Sequence, residues 1–440
     1  MARVVVVGGG LGGAGSAARL AKLGHEVTLL ERRDRLGGAI GFLERDGYRW
    51  DTGPVSTALP AVVRDLFRKS GRPLDRELDL VPVDPMREHR FDDGSVLRMP
   101  SGSRGAQHDA VDAALGAGLG RQWLDYTHSF ADQWSLLRRD FLERVYSADH
   151  AAPETRALLR TRTSLHRVAR KAFKDERLRL LALSPVLLDG HDPRNVPGWM
   201  GVMSYVEQNF GTWTVPGGLG ALAEAMARRL RERRVDVRTS TEARDIVVRG
   251  GRAVGVSTDQ GDVEADVVVC AVDPRRLPAL AGEVRRTMPA IPPVICHLGL
   301  SGEVPDMPLE VVVHGEPTIV VRTSGGAPAG GHAWTLLGRG RLSEDIVTAL
   351  ARRGIDVRDA VEVRVDRSPK ELVETWGGSP YGVLWQGRAT LTERPGTRGP
   401  VPGVFCAGAH ATPGSGVPFV GLSAALVAEA VGPAERRLSR

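Results

Sequence analysis

The sequence predicts an α/β protein whose parallel sheet is joined to a discontinuous α+β domain. A β-branched run at Val4–Val7 has the pattern of a strand buried on both faces of a parallel sheet. Apolar runs of the same kind recur at Ala265–Ala271 and Gly403–Ala409. The stretches between them differ, because residues 100–188 are predicted to be mostly helical and residues 292–365 to be short strands with Gly and Pro turns. This segregation indicates a second domain beside the parallel sheet.

The first strand leads into a glycine-rich turn, Gly8-x-Gly10-x-x-Gly13, and a helix is predicted over Ala14–Leu23. In a dinucleotide site the first glycine makes a tight turn, the second lets the backbone approach a pyrophosphate, and the third lets helix and strand pack closely. The phosphates bind at the helix N-terminus. Glu31 ends the next predicted strand, where a carboxylate accepts hydrogen bonds from ribose hydroxyls. The motif therefore predicts a Rossmann-like unit that binds an adenine dinucleotide.

Four segments resemble flavoproteins of the amine oxidase and phytoene desaturase superfamily. Residues 31–38 match its E-x-x-x-R-x-G-G extension, and residues 47–54 resemble its F-D-x-G-P segment. Residues 211–222 resemble G-x-W-x-P-x-G-G-x-x-x-L, and residues 408–418 look like the G-A-G-x-x-P-G-x-G-x-P signature of bacterial phytoene desaturases. The resemblance is to the phytoene desaturase branch, which includes carotenoid and retinoid enzymes. It implies a Rossmann-like FAD-binding domain of the GR2 flavoprotein type.

The resemblance implies an FAD site assembled from distant parts of the chain. An Asp usually stands at the position of Ala409 in the wider superfamily, and its absence fits the desaturase branch. The cofactor-binding residues that the resemblance implies are Gly8, Gly10, Leu11, Gly13, Glu31, Arg32, Arg35, Gly37, Gly38, Asp51, Thr52, Gly53, Pro54, Ala243, Ala271, Gly408, Ala409, Gly416, Val417 and Pro418.

The same motifs suggest where the chain divides. We expect residues 1–98, 212–285 and 372–440 to form the FAD-binding domain, and residues 99–211 and 286–371 to form the substrate-binding cap. Within the cap, the helical pattern predicts three long helices over 109–119, 121–146 and 154–183.

The resemblance implies an FAD-dependent oxidoreductase, a desaturase or dehydrogenase of an apolar isoprenoid or polyene by hydride transfer from a C–H bond to flavin N5. It leaves the electron acceptor open. Two enzymatic alternatives are oxidation of a smaller soluble specialised metabolite and flavin-dependent double-bond isomerisation. A third alternative is a lipid-binding escort of the same fold without catalysis. Escorts need no intact FAD site, whereas all the motif glycines are present in this chain.

Candidate residues for the reaction lie near the C-terminal motif. We expect Trp376, Tyr381 and Trp385 to line the substrate side, with ordinary core packing as the alternative. His410 is the candidate proton carrier because its titration range suits that role. Desaturases often carry a His directly before Pro-Gly, where this chain has Thr412, and His410 stands two positions earlier. No Ser-His-Asp triad or carboxylate pair stands out.

The composition of the chain gives expectations about nucleic acid, metal and membrane binding. The net charge is +6, yet 53 acidic residues are spread among 59 basic ones, and we find no nucleic-acid-binding motif. Cys270, Cys296 and Cys406 are too scattered for a disulfide framework or a metal cluster, so no metal is expected. The first strand begins directly after Ala2, and no apolar run reaches the roughly 18 residues of a membrane-spanning helix. We therefore expect a cytoplasmic protein without a signal peptide.

One basic stretch, residues 161–179, has apolar residues at helical spacing. It carries Arg162, His166, Arg167, Arg170, Lys171, Lys174, Arg177 and Arg179. One interpretation is a solvated helix whose apolar side lies in the core. The other is peripheral docking on the anionic inner face of a membrane, as basic amphipathic helices do.

Overall fold

A computed structural model gives the fold of residues 1–434, the part of the chain that the structure describes. The strands are β1 (Arg3–Val7), β2 (Glu26–Leu30), β3 (Phe42–Arg45), β4 (Tyr48–Asp51), β5 (Val81–Val83), β6 (Arg87–Arg90), β7 (Val96–Met99), β8 (Thr212–Thr214), β9 (Asp236–Arg238), β10 (Ala243–Arg249), β11 (Arg252–Thr258), β12 (Gly261–Glu264), β13 (Val267–Cys270), β14 (Val294–Ser301), β15 (Glu310–Val313), β16 (Thr318–Arg322), β17 (Gly325–Gly326), β18 (Gly331–Arg339), β19 (Val361–Arg367) and β20 (Val404–Cys406).

The helices are α1 (Leu11–Lys22), α2 (Pro60–Ser70), α3 (Arg104–Leu115), α4 (Leu119–His128), α5 (Ala131–Leu137), α6 (Pro153–Leu159), α7 (Leu165–Ala172), α8 (Glu176–Leu188), α9 (Val202–Phe210), α10 (Ala221–Glu232), α11 (Pro278–Ala281), α12 (Ile346–Arg352), α13 (Pro369–Trp376), α14 (Thr390–Glu393) and α15 (Val417–Val431).

The predicted parallel sheet is confirmed. Five strands lie in the order β20-β13-β1-β2-β9, and every neighbouring pair is parallel. The central strand β1 is buried from Val4 to Val7, as its β-branched run predicts. Helices α2, α10 and α15 pack around α1 and share its apolar core. The α/β prediction is therefore correct for the chain as folded.

At the carboxyl edge of this sheet, the glycine turn after β1 meets the loop after β20. A Cβ atom on Gly12 would lie 2.8 Å from both the N and the Cα of Gly408. A Cβ atom on Gly13 would lie 1.9 Å from the carbonyl oxygen of Gly8. Backbones approach this closely only where no side chain intervenes. The two ends of the chain are thus held together by glycine contacts.

A second sheet has seven strands in the order β19-β14-β18-β16-β15-β6-β7, and five of them come from the segment 286–371 that is predicted to belong to the substrate-binding domain. It includes β6 and β7, because β6 pairs in parallel with β15 and β7 pairs with β6. The predicted boundary at residue 98 falls within β7, whereas the pairing of β6 with β15 joins both β6 and β7 to strands of the predicted substrate-binding domain. No local feature of the sequence indicates the pairing of β6 with β15, since the two strands are more than 200 residues apart in the chain.

The cap consists of short helices, so the long helices predicted over 121–146 and 154–183 are wrong. The second of these is split where Phe173 adopts an extended backbone and buries its ring in the cap core. Asp175 then caps α8 by accepting a hydrogen bond from the backbone N–H of Arg177 at 2.8 Å. The buried Phe173 therefore ends α7, and the N-cap residue Asp175 begins α8.

The basic stretch falls across this break. Its apolar residues Leu165, Ala169 and Phe173 are buried in the core of the cap, as the first interpretation predicts. Its exposed cations are Arg162, Arg167, Arg170, Lys171 and Lys174. Among residues 1–434, no helix is long and apolar enough to span a bilayer. Contact with a membrane surface stays a prediction.

A buried ion cluster joins the seven-stranded sheet to the cap. Arg87 donates from Nε to Glu310 at 2.7 Å, and Arg322 donates from Nε to the other carboxylate oxygen at 3.0 Å. The guanidinium of Arg87 also lies 3.6 Å from Glu207 of helix α9. Burial opposes ionisation of Glu310, but Arg87 and Arg322 outweigh it and lower the pKa of Glu310 to about 2. The seven-stranded sheet and the cap therefore meet at charges that are paired with one another.

The close approach of Gly12 to Gly408 makes a prediction about stability. We expect Gly12→Ala to destabilise the protein by about 1–3 kcal/mol, because the added methyl group overlaps backbone atoms that cannot rotate away. Gly105→Ala is the matched control, since a Cβ there meets open space in helix α3. This control should be neutral or stabilising by up to about 1 kcal/mol. Urea denaturation of both variants measures the difference, and equal midpoints would contradict the packing argument.

Candidate functional site

A cleft of about 330 Å³ opens at the carboxyl ends of β1 and β2. It is lined by Gly8, Glu31, Thr241 and Ala243, among others. Gly8 has a φ of +102°, and a Cβ there would lie 2.6 Å from the side chain of Val272. The sequence-predicted residues Gly8, Glu31 and Ala243 therefore lie together, although they come from distant segments.

Glu31 is buried in this cleft and bonds to the glycine turn itself. One carboxylate oxygen accepts from the N–H of Gly9 at 2.8 Å, and the other accepts from the N–H of Arg33 at 2.9 Å. A carboxylate oxygen has more than one acceptor site, so these bonds leave capacity for a ligand hydroxyl. The ribose-binding role of Glu31 stays a prediction, and the structure adds a second role in which Glu31 fixes the turn.

A larger cleft of about 540 Å³ continues along the glycine extension. Gly38, Arg35 and Thr52 of the predicted set line it, and so does Arg33, which the sequence analysis did not single out. Arg33 donates to the carbonyl of Gly38 at 3.1 Å, which holds its guanidinium over the cleft. Its position next to Arg32 in an arginine-rich run was the only signal available.

Arg32, one of the predicted cofactor-binding residues, lines the cleft of about 330 Å³ and also bonds to helix α13. Its guanidinium donates to the carbonyl of Thr375 at 2.6 Å and to that of Glu374, so it anchors the C-terminal end of α13. Trp376, the last residue of α13, lines both clefts and so lies between them. Arg32 therefore positions the residue that separates the two clefts.

The Asp51–Pro54 segment supports the clefts from behind. Asp51 is buried, and its carboxylate accepts from the N–H of Gly220 at 2.8 Å and from the hydroxyl of Ser324 at 3.1 Å. A Cβ on Gly53 would lie 2.8 Å from the carbonyl of Ala39. Within this segment only Thr52 lines a cleft. The structure thus brings Asp51 and Gly53 near the site but gives them protein partners.

The closing loop completes the arrangement. Gly408 lies beside Ala271, since a Cβ on Gly408 would be 3.6 Å from the Ala271 carbonyl oxygen. The N–H of Gly408 donates to the hydroxyl of Ser423 at 2.9 Å, which fixes the loop on α15. Helix α15 begins at Val417, with Pro418 in its first turn. Its N-terminal end therefore lies beside the same loop as Gly416.

These features fit a dinucleotide. A Cβ on Gly10 would have only one protein neighbour within contact range, the Cα of Gly38 at 3.9 Å. Gly10 therefore has space beside it that the protein does not fill, as a backbone that approaches a pyrophosphate requires. The two clefts extend to either side of this point, and Leu11 begins α1 directly after it. The cradle, the acid and the helix N-terminus are all present.

His410 lies in a tightly packed environment. It is buried, its Nε2 bonds to the carbonyl of Ser379 at 2.9 Å, and its Nδ1 lies 3.8 Å from a carboxylate oxygen of Asp273. Burial lowers the pKa of His410, although Asp273 opposes this shift. The residues lining the described cavities do not include His410. Its role as a proton carrier stays a prediction, and its contacts favour a role in joining two loops.

The three candidate substrate aromatics separate in the fold. Trp385 lines a cavity of about 100 Å³ between the cap and the Pro413–Gly416 loop, where its ring meets Trp199 edge to face at 5.7 Å. Trp376 lies on the two clefts instead. Tyr381 packs under Arg339, whose guanidinium lies 4.8 Å from the ring centroid. We call the 100 Å³ space the cap cavity.

Several polar residues of the cap cavity were missed by the sequence analysis. Asp189, His191 and Arg394 line it together with Trp199 and Trp385. Burial raises the pKa of Asp189 to about 6, although Arg339 and Arg322 favour the charged form. Burial lowers the pKa of His191 to about 4, and Arg394 adds to this shift. None of these residues belongs to a recognisable motif, so only the fold could bring them together.

The cysteines are not part of the site. Cys270, Cys296 and Cys406 are buried and unpaired. Burial raises the pKa of Cys296 and keeps its thiol protonated. Across the described residues, no group of three or more His, Cys, Asp or Glu side chains is arranged to hold a metal ion.

Comparisons with known proteins agree with this geometry. Residues 15–432 match the family described as flavin containing amine oxidoreductase. Hydroxyneurosporene desaturase of Cereibacter sphaeroides is 30% identical, and the alignment covers 98% of this chain and 97% of that enzyme. The neurosporene-forming phytoene desaturase of the same organism is 32% identical over 62% of this chain, and the matched part spans 53% of that enzyme's length.

A solved structure gives the fold independently. Putrescine oxidase bound to putrescine superposes with a TM-score of 0.69 at 17% identity, covering 98% of both chains. At this identity the likeness concerns the fold. It agrees with the observed combination of a five-stranded parallel sheet and a seven-stranded second sheet.

The open space beside Gly10 predicts a separation of folding from cofactor binding. We expect Gly10→Val to fold normally but to lose most of its bound flavin, because the side chain enters space that the protein leaves free. The measurement is flavin absorbance per chain after purification, together with circular dichroism. A variant that stays fully loaded with flavin would show that the pyrophosphate does not bind at Gly10.

The environment of Asp189 predicts a pH-dependent stability. A carboxyl whose folded pKa is raised to about 6 stabilises the fold below its unfolded pKa, and this contribution is lost as the pH rises through about 6. Asp189→Asn should therefore exceed the wild type in stability at about pH 7 by about 1–3 kcal/mol, and the gap should close near about pH 4. The exposed Asp306→Asn is the control. Urea denaturation across this range would refute the argument if the gap did not depend on pH.

Proposed function

The chain belongs to the flavin containing amine oxidoreductase family and is an FAD-dependent oxidoreductase, and we propose that it desaturates or dehydrogenates an apolar polyene substrate. The observation that carries this proposal is a complete dinucleotide cradle beside an aromatic cap cavity. Hydroxyneurosporene desaturase, which aligns over nearly the whole chain, supports the substrate class.

The residues that would hold FAD belong to both clefts. We propose that Glu31 and Ala243 contact the adenosine end and that Gly10, Arg33 and Gly38 line the path of the pyrophosphate. Gly408, Ala409, Gly416, Val417 and Pro418 would lie along the flavin end. When bound, FAD supplies the acceptor for a hydride from a substrate C–H bond. The N-terminus of α15 would favour negative charge beside the loop that precedes it.

The cap would hold the substrate and exclude water. Apolar side chains of the cap cavity, such as Phe141 and Met203, provide a surface for a hydrocarbon chain. Trp199 and Trp385 form rigid aromatic walls. A buried aromatic enclosure of this kind orients an apolar molecule by shape. In hydride transfer to a flavin, orientation of the substrate is the main contribution of the protein. The escort alternative is weakened because the cofactor cradle is intact.

We also propose that the protein approaches a membrane surface to obtain its substrate. The exposed cations of residues 162–174 lie on one stretch of the cap. Clustered Lys and Arg side chains bind anionic headgroups without inserting apolar residues. This matches a stretch whose apolar side chains are already buried.

An anaerobic titration tests the proposed activity. Adding phytoene or neurosporene in detergent micelles to the oxidised holoprotein should bleach the flavin band near about 450 nm and shift the polyene spectrum to longer wavelength as double bonds are added. Squalane is the substrate control, because it is an apolar branched hydrocarbon without double bonds, and it should not bleach the flavin. Failure of every polyene tested to bleach the flavin would contradict the proposal.

A further inference from the structure

Arg394 is a buried cation of the cap cavity without a counter-charge. Only 6% of the residue is exposed. Its guanidinium donates to the carbonyl of Pro413 at 2.8 Å and makes a longer contact of 3.4 Å with that of Val383. Its Nε has no partner, and no carboxylate pairs with it anywhere in residues 1–434. The aromatic face of Trp385, 5.0 Å away, is its remaining contact.

This lack of a partner is unusual within the same protein. Arg87 is also buried and Arg322 is half-buried, and both bond to the carboxylate of Glu310. A buried charge without a partner costs several kcal/mol, so proteins rarely keep one unless a ligand completes it. Burial lowers the pKa of Arg394 to about 10, and the group therefore stays protonated at neutral pH. The cavity holds a fixed positive charge.

The other polar groups of the cap cavity also favour an acceptor. The indole N–H of Trp199 is buried and has no hydrogen-bond partner. His191 is neutral near pH 7, and its Nδ1 faces the backbone N–H of Trp385 at 3.5 Å. Asp189 is the one carboxylate that lines the cavity, and Arg339 and Arg322 favour its charged form. Two unpaired donors, Nε of Arg394 and the indole N–H of Trp199, belong to residues that line this cavity.

The remaining walls are apolar. They are formed by Phe141, Leu142, Val186, Met200, Met203 and Phe419, with proline and glycine between them. The volume of about 100 Å³ is below the roughly 300–1,000 Å³ of pockets that enclose a whole ligand. The cavity thus has room for one end of a longer apolar molecule, and that end should carry a negative charge.

We infer that the cap cavity binds the terminal carboxylate of an apolar polyene acid and that Arg394, with the indole N–H of Trp199, is the group that selects it. This inference rests on the proposed function, since it names the substrate class of the same site. Arg394 lines neither of the two clefts, but it shares the cap cavity with Gly416 and Pro418, which would lie along the flavin end. The flavin content of the variants below distinguishes a contact with the substrate from a contact with the cofactor.

A matched pair of ligands tests the inference on the holoprotein. All-trans-retinoic acid and its methyl ester share the polyene and the carbonyl, and they differ in the charge. Quenching of tryptophan fluorescence at neutral pH gives both dissociation constants. We expect the wild type to bind the acid at least about tenfold more tightly than the ester, the ratio of one charge-assisted hydrogen bond.

Substitutions assign this preference to Arg394. Arg394→Met should reduce the acid-to-ester ratio to about twofold or less, with flavin content and ester affinity unchanged. Arg388→Met, at an exposed arginine six positions earlier in the chain, should keep the wild-type ratio. Arg394→Lys should retain most of the preference because it keeps the charge, and it serves as the folded variant if Arg394→Met does not fold.

Three results would overturn the inference: equal affinity of the wild type for acid and ester, no binding of either ligand, or loss of flavin from Arg394→Lys. The last result would assign Arg394 to the cofactor. The bleaching of the flavin by phytoene or neurosporene is measured in a separate experiment. The acid preference could depend on Arg394 while no polyene bleaches the flavin. This combination would refute the desaturase proposal and leave the ligand assignment standing.

Discussion

The close approach of backbone to backbone at the carboxyl edge of the parallel sheet is the constraint on which the rest of the structure depends. Gly12 and Gly408 meet with no room for a side chain, and Gly13 packs against Gly8 in the same way. Because strands β1, β13 and β20 are parallel, their carboxyl ends must converge at this edge. The beginning, middle and end of the chain are therefore joined where a dinucleotide would bind.

The second sheet and the cap are joined to this edge by polar contacts of a different kind. Glu310 binds Arg87 and Arg322 at the centre of the sheet, and Glu207 approaches from the cap. Arg32 fixes the end of α13 through backbone carbonyls. These bonds are satisfied within the protein, so they define geometry and leave no charge for a ligand.

The cap cavity has the opposite character. It combines apolar walls with an unpaired guanidinium at Arg394 and an unpaired indole N–H at Trp199. Within a domain that pairs its other buried arginines, such an imbalance indicates a group that the protein itself does not supply. The same cavity lies beside the Pro413–Gly416 loop. The residues that would recognise one end of a substrate and the loop that would lie beside the cofactor thus line the same cavity.

The sequence by itself determined the dinucleotide cradle, because its parts are local. The glycine spacing, the β-branched run and the carboxylate at Glu31 each act through short-range backbone geometry. It could not determine the pairing of β6 with β15, nor the break at Phe173. Both depend on packing between residues far apart in the chain.

Tertiary structure alone decided the surroundings of individual side chains. His410 carries a titratable group whose Nε2 bonds to the carbonyl of Ser379, while its Nδ1 is buried without a hydrogen-bond partner. Arg394 belongs to no motif that its neighbours could reveal, yet the fold isolates it from every carboxylate described. Local periodicity fixes which residues are buried, whereas the partner that a buried charge finds depends on the three-dimensional arrangement of distant segments.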